Sequence, residues 1–202
     1  TLDDFRPPLL YLLTQPFYAI WGRGADIAQL TNIALFALIL GLTFLLARRV
    51  TGDGVAIFAV GLLSLLPMAL AMTRLYYMEN SLTAALLLAL YALLHSDSFR
   101  RRSWSIAFGV ALGIAFLSKW TALVYLALPI LYLLWIGKFW HNQVSALRSL
   151  HLQWKTALAA LGAGILLALL WYLPNRDFVA AQGMLLGDWL PVLWAILFAL
   201  CI

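Results

Sequence analysis

The sequence predicts an all-α, polytopic membrane protein with about seven spans and additional interfacial helices, and three observations predict it. First, 65% of the residues are hydrophobic and only 10% charged, with a mean hydropathy of +0.95, whereas soluble domains run near 45–50% apolar and about 25% charged. Second, long runs carry no charge at all: residues 54–73 and 80–96 contain no Asp, Glu, Lys or Arg. Third, the cations collect in short connections between such runs, and nine Trp and eight Tyr suit the two interfacial belts. The single cysteine, Cys201, excludes a disulfide framework or a cysteine metal site. A net charge of +5 spread over loops gives no nucleic-acid patch, so no nucleic-acid partner is expected.

The elements follow in order. Residues 1–26 form a first segment in which Pro7-Pro8 can start a helix but not continue one. The apolar stretch 8–22, interrupted by Gln15-Pro16, is about 22 Å long as a helix and reads as interfacial. Five spans are expected in 27–137: 27–47, 54–73 with a kink at Pro67, 80–96, 103–118 and 120–137. The last two are split because one helix over 103–137 would be about 52 Å long, so the chain doubles back near Ser118-Lys119-Trp120. Gly109-x-x-x-Gly113 permits close helix contact. Residues 138–155 place Trp140, Val144, Leu147, Leu150 and Trp154 at helical spacing among cations, as in an amphipathic surface helix. Residues 156–202 hold two more spans, 156–174 and an incomplete one in 189–202. Because the chain starts at Thr1 without Met and stops in an apolar run, it reads as a fragment of a longer protein.

Chemistry concentrates in the stretch Arg74-Leu75-Tyr76-Tyr77-Met78-Glu79, between two charge-free runs. A five-residue separation puts Arg74 and Glu79 about 140° apart on a continuous helix, so they belong to a hairpin. Two readings stay open. Arg74 ends one helix and Glu79 opens the next, each favoured by the local macrodipole; or both point into a site at the membrane face, where charge usually has a task.

Loop charge separates the two faces. Loops one, three and five carry eight cations against Asp53 and Asp97, which makes them cytoplasmic. Arg74, Glu79 and Lys119 then fall on the outer face, and so do Asp3, Asp4 and Arg6 if residues 8–22 do not cross. Cations and carboxylates set among aromatics suit a phosphate-bearing ligand and acid–base chemistry, with entry from the bilayer open to a lipid-borne substrate. His95, His141 and His151 lie in or beside inner loops without ligand spacing to carboxylates, so no metal site is expected. Ser118 has no His/Asp partner in reach, which leaves nucleophilic catalysis unsupported.

Phe5-Arg6-Pro7-Pro8-Leu9-Leu10-Tyr11 resembles the "PPL" element of the C-type-fold membrane glycosyltransferases, which include the dolichyl-phosphate-mannose protein mannosyltransferases and the lipid A aminoarabinose transferase. Arg74 to Glu79, followed by Asn80-Ser81-Leu82, is similar to that family's Arg-then-acid element, and residues 109–123 resemble its "GLAFLTKW" hairpin. The resemblance covers about residues 3–175. It implies an inverting transfer of sugar from a polyprenyl-phosphate carrier to a lipid, glycan or protein acceptor outside the cytoplasm, in a bacterial inner membrane, without a cofactor. By the same resemblance Arg6 and Lys119 bind the carrier phosphate, Arg74 lies near the active site, and Glu79 is acidic with a catalytic or site-organising role. The family's catalytic carboxylate lies well upstream of the PPL element and is expected before Thr1, with Asp4 as a weaker candidate. On the residues alone, two other classes compete: a transporter or flippase for a lipid-linked or anionic substrate, and a non-catalytic scaffold of membrane helices.

Overall fold

A computed structural model describes residues 8–97, 99–119, 121–139 and 146–174. The chain divides into two compact units, Pro7–Ala168 and a second made of Thr1–Arg6 with Leu169–Ile202. Among the described residues every regular element is a helix: α1 Leu9–Trp21, α2 Ala25–Thr51, α3 Asp53–Leu65, α4 Pro67–Arg74, α5 Glu79–His95, α6 Arg102–Ser118, α7 Ala122–Phe139 and α8 Ala146–Tyr172.

The first helix has 13 residues, about 20 Å, short for a crossing. It runs through Pro16, so Gln15-Pro16 does not interrupt it. Gly22, at φ 83°, ends it by donating its amide to Tyr18 O. The 27-residue α2 carries Arg48 and Arg49 in its last turn, where cations meet the negative end of the macrodipole. It is the one described helix long and apolar enough to cross a bilayer alone. The next expected span is broken: α3 and α4 meet at 60° across Leu66, because Pro67 has no N–H to give and forces Leu66 to extended backbone at ψ 119°. The pair passes as a span only together, while Glu79–His95, Arg102–Ser118 and Leu158–Leu170 are shorter apolar helices. A further difference lies in α8, which carries the end of the amphipathic stretch and the apolar run after it as one helix, with no break at 155/156. Residues 140–145 and 175–202, with their share of the surface helix, the outer loop and the final span, lie outside the described residues.

The core of the larger unit sits where α5, α6, α7 and α8 meet, around Ala89, Leu93, Phe108, Leu112, Leu126 and Ala160. Small residues let α6 and α8 approach. A Cβ on Gly109 would lie 2.1 Å from Ala160 O, and one on Gly164 would lie 2.8 Å from Gly109 O. This is close backbone approach of the kind expected from Gly109-x-x-x-Gly113, with Gly164 as its partner on the facing helix.

The turn between α5 and α6 is built by its own polar atoms. Ser96 Oγ donates to Leu93 O at 2.7 Å and accepts from the Phe99 amide at 3.2 Å. Thr156 of α8 donates to Phe99 O at 2.8 Å, and the buried Phe99 ring meets Phe108 edge-on. Asp97 follows the C-cap in left-handed conformation, φ 51°, and is exposed, a position where glycine carries no Cβ penalty. Asp97→Gly is therefore expected to stabilise the protein by up to about 1 kcal/mol, read as a small rise in Tm of the detergent-solubilised protein.

Candidate functional site

The connection from α4 to α5, residues 75–78, is short and apolar in sequence, yet polar side chains from several other elements hold it. The last carbonyls of α4 have no intrahelical donor and need partners. Asn80 Nδ2 supplies one by donating to Met72 O at 3.2 Å, and Asn32 Nδ2 of α2 donates to Leu75 O. The Tyr77 amide also donates to Leu75 O, at 2.9 Å. Asn32 is fully buried, and among the described residues its Oδ1 and the adjacent Thr31 Oγ1 find no hydrogen-bond partner.

Tyr76 fastens the same connection to α1. Its hydroxyl lies 2.7 Å from Thr14 Oγ1, and Thr14 donates its own proton to Leu10 O at 2.8 Å. A hydroxyl has one proton, so in this pair the phenol donates and Thr14 accepts. Burial pushes the Tyr76 pKa up, and Tyr18 and Tyr11 add to that shift, so the phenol keeps the proton it donates. Tyr11 packs edge-on against the Tyr76 ring, centroids 6.1 Å apart.

The charged groups sit at this end. Arg74 is the last residue of α4 and Glu79 the first of α5, the macrodipole-favoured placement. Glu79 also has a partner. Lys119 Nζ lies 3.6 Å from its Oε1, with the two side chains 40% and 48% exposed. Lys119 is the C-cap of α6, in extended conformation, which ends the helix and turns the chain toward α7. Beside the pair, Ser118 Oγ donates to Ser81 Oγ at 3.3 Å, both residues buried, so α5 and α6 are joined at this end by a hydrogen bond and an ion pair. Arg74, exposed, enters neither this ion pair nor Arg48–Asp53.

Of the residues singled out from sequence, Glu79 and Lys119 come together, and Arg74 closes the helix that leads into the same connection. Asp3, Asp4 and Arg6 lie outside the described residues, as do His141 and the side chain of His151. His95 sits at the opposite end of α5, and Ser118 is bonded to Ser81. Among the described residues no three His, Cys, Asp or Glu come together as a metal site would need. Sequence reading missed Thr14 and Asn32, and it gave Tyr76, Asn80 and Ser81 no role although they lie in or beside the Arg74–Glu79 stretch. The available signal was a polar side chain inside an otherwise apolar run, at 14, at 31–32 and at 80–81.

Chemically, an ammonium beside a half-exposed carboxylate can grip an anionic group and hold a proton acceptor near it. The comparisons with known proteins bear on which group. No curated protein matches the chain. The crystal structure of ArnT from Cupriavidus metallidurans in the apo state superposes with a TM-score of 0.64 at 21% identity, over 92% of this chain. At that identity the likeness shows the fold, and the chain spans 33% of the length of that protein. The sequence profile described as dolichyl-phosphate-mannose-protein mannosyltransferase matches residues 5–171, which include the PPL element, the Arg74–Glu79 connection and the Lys119 hairpin. With that match over most of its length, this integral-membrane chain belongs to the dolichyl-phosphate-mannose-protein mannosyltransferase family.

Proposed function

We propose that the chain is part of a membrane glycosyltransferase that moves a sugar, with inversion, from a polyprenyl-phosphate carrier to a lipid, glycan or protein acceptor on the non-cytoplasmic side. A seven-span arrangement in a bacterial inner membrane belongs to this reading. The observation that carries it is the Lys119–Glu79 pair, assembled beside the connection that Arg74 enters.

The assignment of roles follows from charge. When the bond from the anomeric carbon to the carrier phosphate breaks, negative charge develops on the phosphate. A preorganised cation stabilises that charge more than it stabilises the ground state. Lys119 and Arg6 are assigned to this phosphate, and Arg74 to the reacting end of the donor. Glu79 holds the Lys119 ammonium in place through the 3.6 Å contact. The general base, which takes the proton of the acceptor nucleophile, is assigned to a carboxylate preceding residue 1 in the full-length protein, with Asp4 as the alternative within the chain.

The test uses the full-length protein in proteoliposomes with a radiolabelled polyprenyl-phosphate sugar. Arg74→Ala and Arg6→Ala are expected to lose transfer at unchanged expression. Movement of the lipid-linked sugar across the membrane without transfer, or full transfer in both variants, contradicts the reading. Asn32→Leu separates anchoring from folding. It removes the donor to Leu75 O and the partnerless oxygen together, so the stability change should stay within about 1 kcal/mol. The connection loses one fixed point, and kcat for transfer is expected to fall about tenfold or more.

A further inference from the structure

At the helix ends opposite Lys119 and Glu79 lies a second cluster, which contains none of the residues assigned to sugar transfer. His95 closes α5, and its Nδ1 lies 2.9 Å from Tyr91 O. A carbonyl only accepts, so Nδ1 donates, and in that tautomer Nε2 offers its lone pair. The imidazole packs against both the Tyr91 ring, centroids 4.2 Å apart, and the Trp104 ring of α6, 4.8 Å apart, and those two rings meet each other edge-on at 5.9 Å. Arg49, in the last turn of α2, brings Nη1 to 3.4 Å from His95 Nε2 and Nη2 to 3.5 Å from Leu94 O. Two long contacts orient this exposed guanidinium and leave donors of its five N–H groups to spare. The surface that leads to it is apolar. On α2, Leu38 and Leu45 share the Arg49 face and are 47% and 41% exposed; on α5, Leu88, 37% exposed, shares the face of Tyr91 and His95.

We propose that Arg49 and His95, framed by Tyr91 and Trp104, seat the phosphate of an anionic membrane lipid whose acyl chains lie along Leu38, Leu45 and Leu88. The oriented fork supplies the charge-assisted contacts that phosphate geometry favours. The aromatic rings occupy interfacial depth, where headgroups are. The exposed leucines select a lipid over a free phosphate ion, since a free ion gains nothing from them.

Native mass spectrometry of the full-length protein, released from nanodiscs of equal parts phosphatidylglycerol and phosphatidylcholine, tests the site. The unsubstituted protein is expected to retain phosphatidylglycerol preferentially. Arg49→Lys keeps the charge but loses the planar fork, and retention should fall about tenfold, the scale of one charge-assisted contact. Arg102→Lys, on the same face but outside the contacts that orient Arg49, should leave it unchanged. If Arg49→Lys does not accumulate, His95→Ala carries the same expectation, because it removes the acceptor and the stacked ring that orient Arg49. Equal retention in Arg49→Lys, Arg102→Lys and the unsubstituted protein would mean diffuse attraction and overturns the site. Displacement of the lipid by millimolar inorganic phosphate overturns it as well.

Discussion

Gly109→Val is expected to abolish accumulation of folded protein in the membrane. The Cβ alone would sit 2.1 Å from Ala160 O and 2.8 Å from Ala160 C, and both are backbone atoms of a facing helix. No side-chain rotation relieves such a clash, so α6 and α8 must separate along their contact. That would open the core around Phe108, Leu112 and Ala160 and strain the Thr156 bond to Phe99 O. Overpacking usually costs about 1–3 kcal/mol when neighbours can shift, and a rigid backbone puts this case at or above the upper end. Gly162→Val is the matched control. It lies on α8 too, but a Cβ there meets nothing within 4 Å, so its effect should be limited to helix propensity. Yield and monodispersity of the full-length protein in detergent, with Tm, separate the two. Equal behaviour of both variants would contradict the close crossing.

The second large effect is expected at Lys119. Lys119→Gln removes the ammonium and keeps most of the side-chain volume. Exposed ion pairs contribute roughly 0–1 kcal/mol, and both partners here are 40% or more exposed, so Tm should barely move. Transfer should fall by about 10²–10³-fold, the loss typical when one preorganised partner of a developing charge is removed. Glu79→Gln should cost less, because Lys119 stays charged and only its placement relaxes. The double variant should be little worse than Lys119→Gln alone, since Glu79 acts through Lys119. Independent, multiplying losses in the double variant would give Glu79 a separate catalytic task. A large fall in Tm for Lys119→Gln would instead make the pair structural.

Much of this architecture was legible in the residues. Charge-free runs bounded by cations marked the helices, Pro67 marked the bend, and the length limit on a single crossing placed the reversal at Lys119, where α6 does end. The pairing of Lys119 with Glu79 was legible only as a shared face. Residues far apart in sequence meet through the packing of α5 on α6, which periodicity does not encode. The anchoring of the 75–78 connection was not legible. Leu75 O of the connection is capped by Asn32 and Met72 O of the α4 end by Asn80, and such caps leave no spacing rule in the sequence. The interfacial helix at 138–155 was separated from the following run by hydrophobicity alone. Backbone hydrogen bonding does not distinguish an amphipathic stretch from an apolar one, and α8 continues through both.

Cysteine accessibility labelling of the full-length protein in intact cells tests most directly whether the Lys119–Glu79 end is the outward, substrate-facing one. In a Cys201→Ser background, Arg74→Cys and Glu79→Cys are expected to react with a membrane-impermeant maleimide without permeabilisation, and Arg102→Cys only after it. Labelling of Arg102→Cys from outside, with Arg74→Cys and Glu79→Cys protected until the membrane is opened, would place the charged end in the cytoplasm and contradict the proposed reaction.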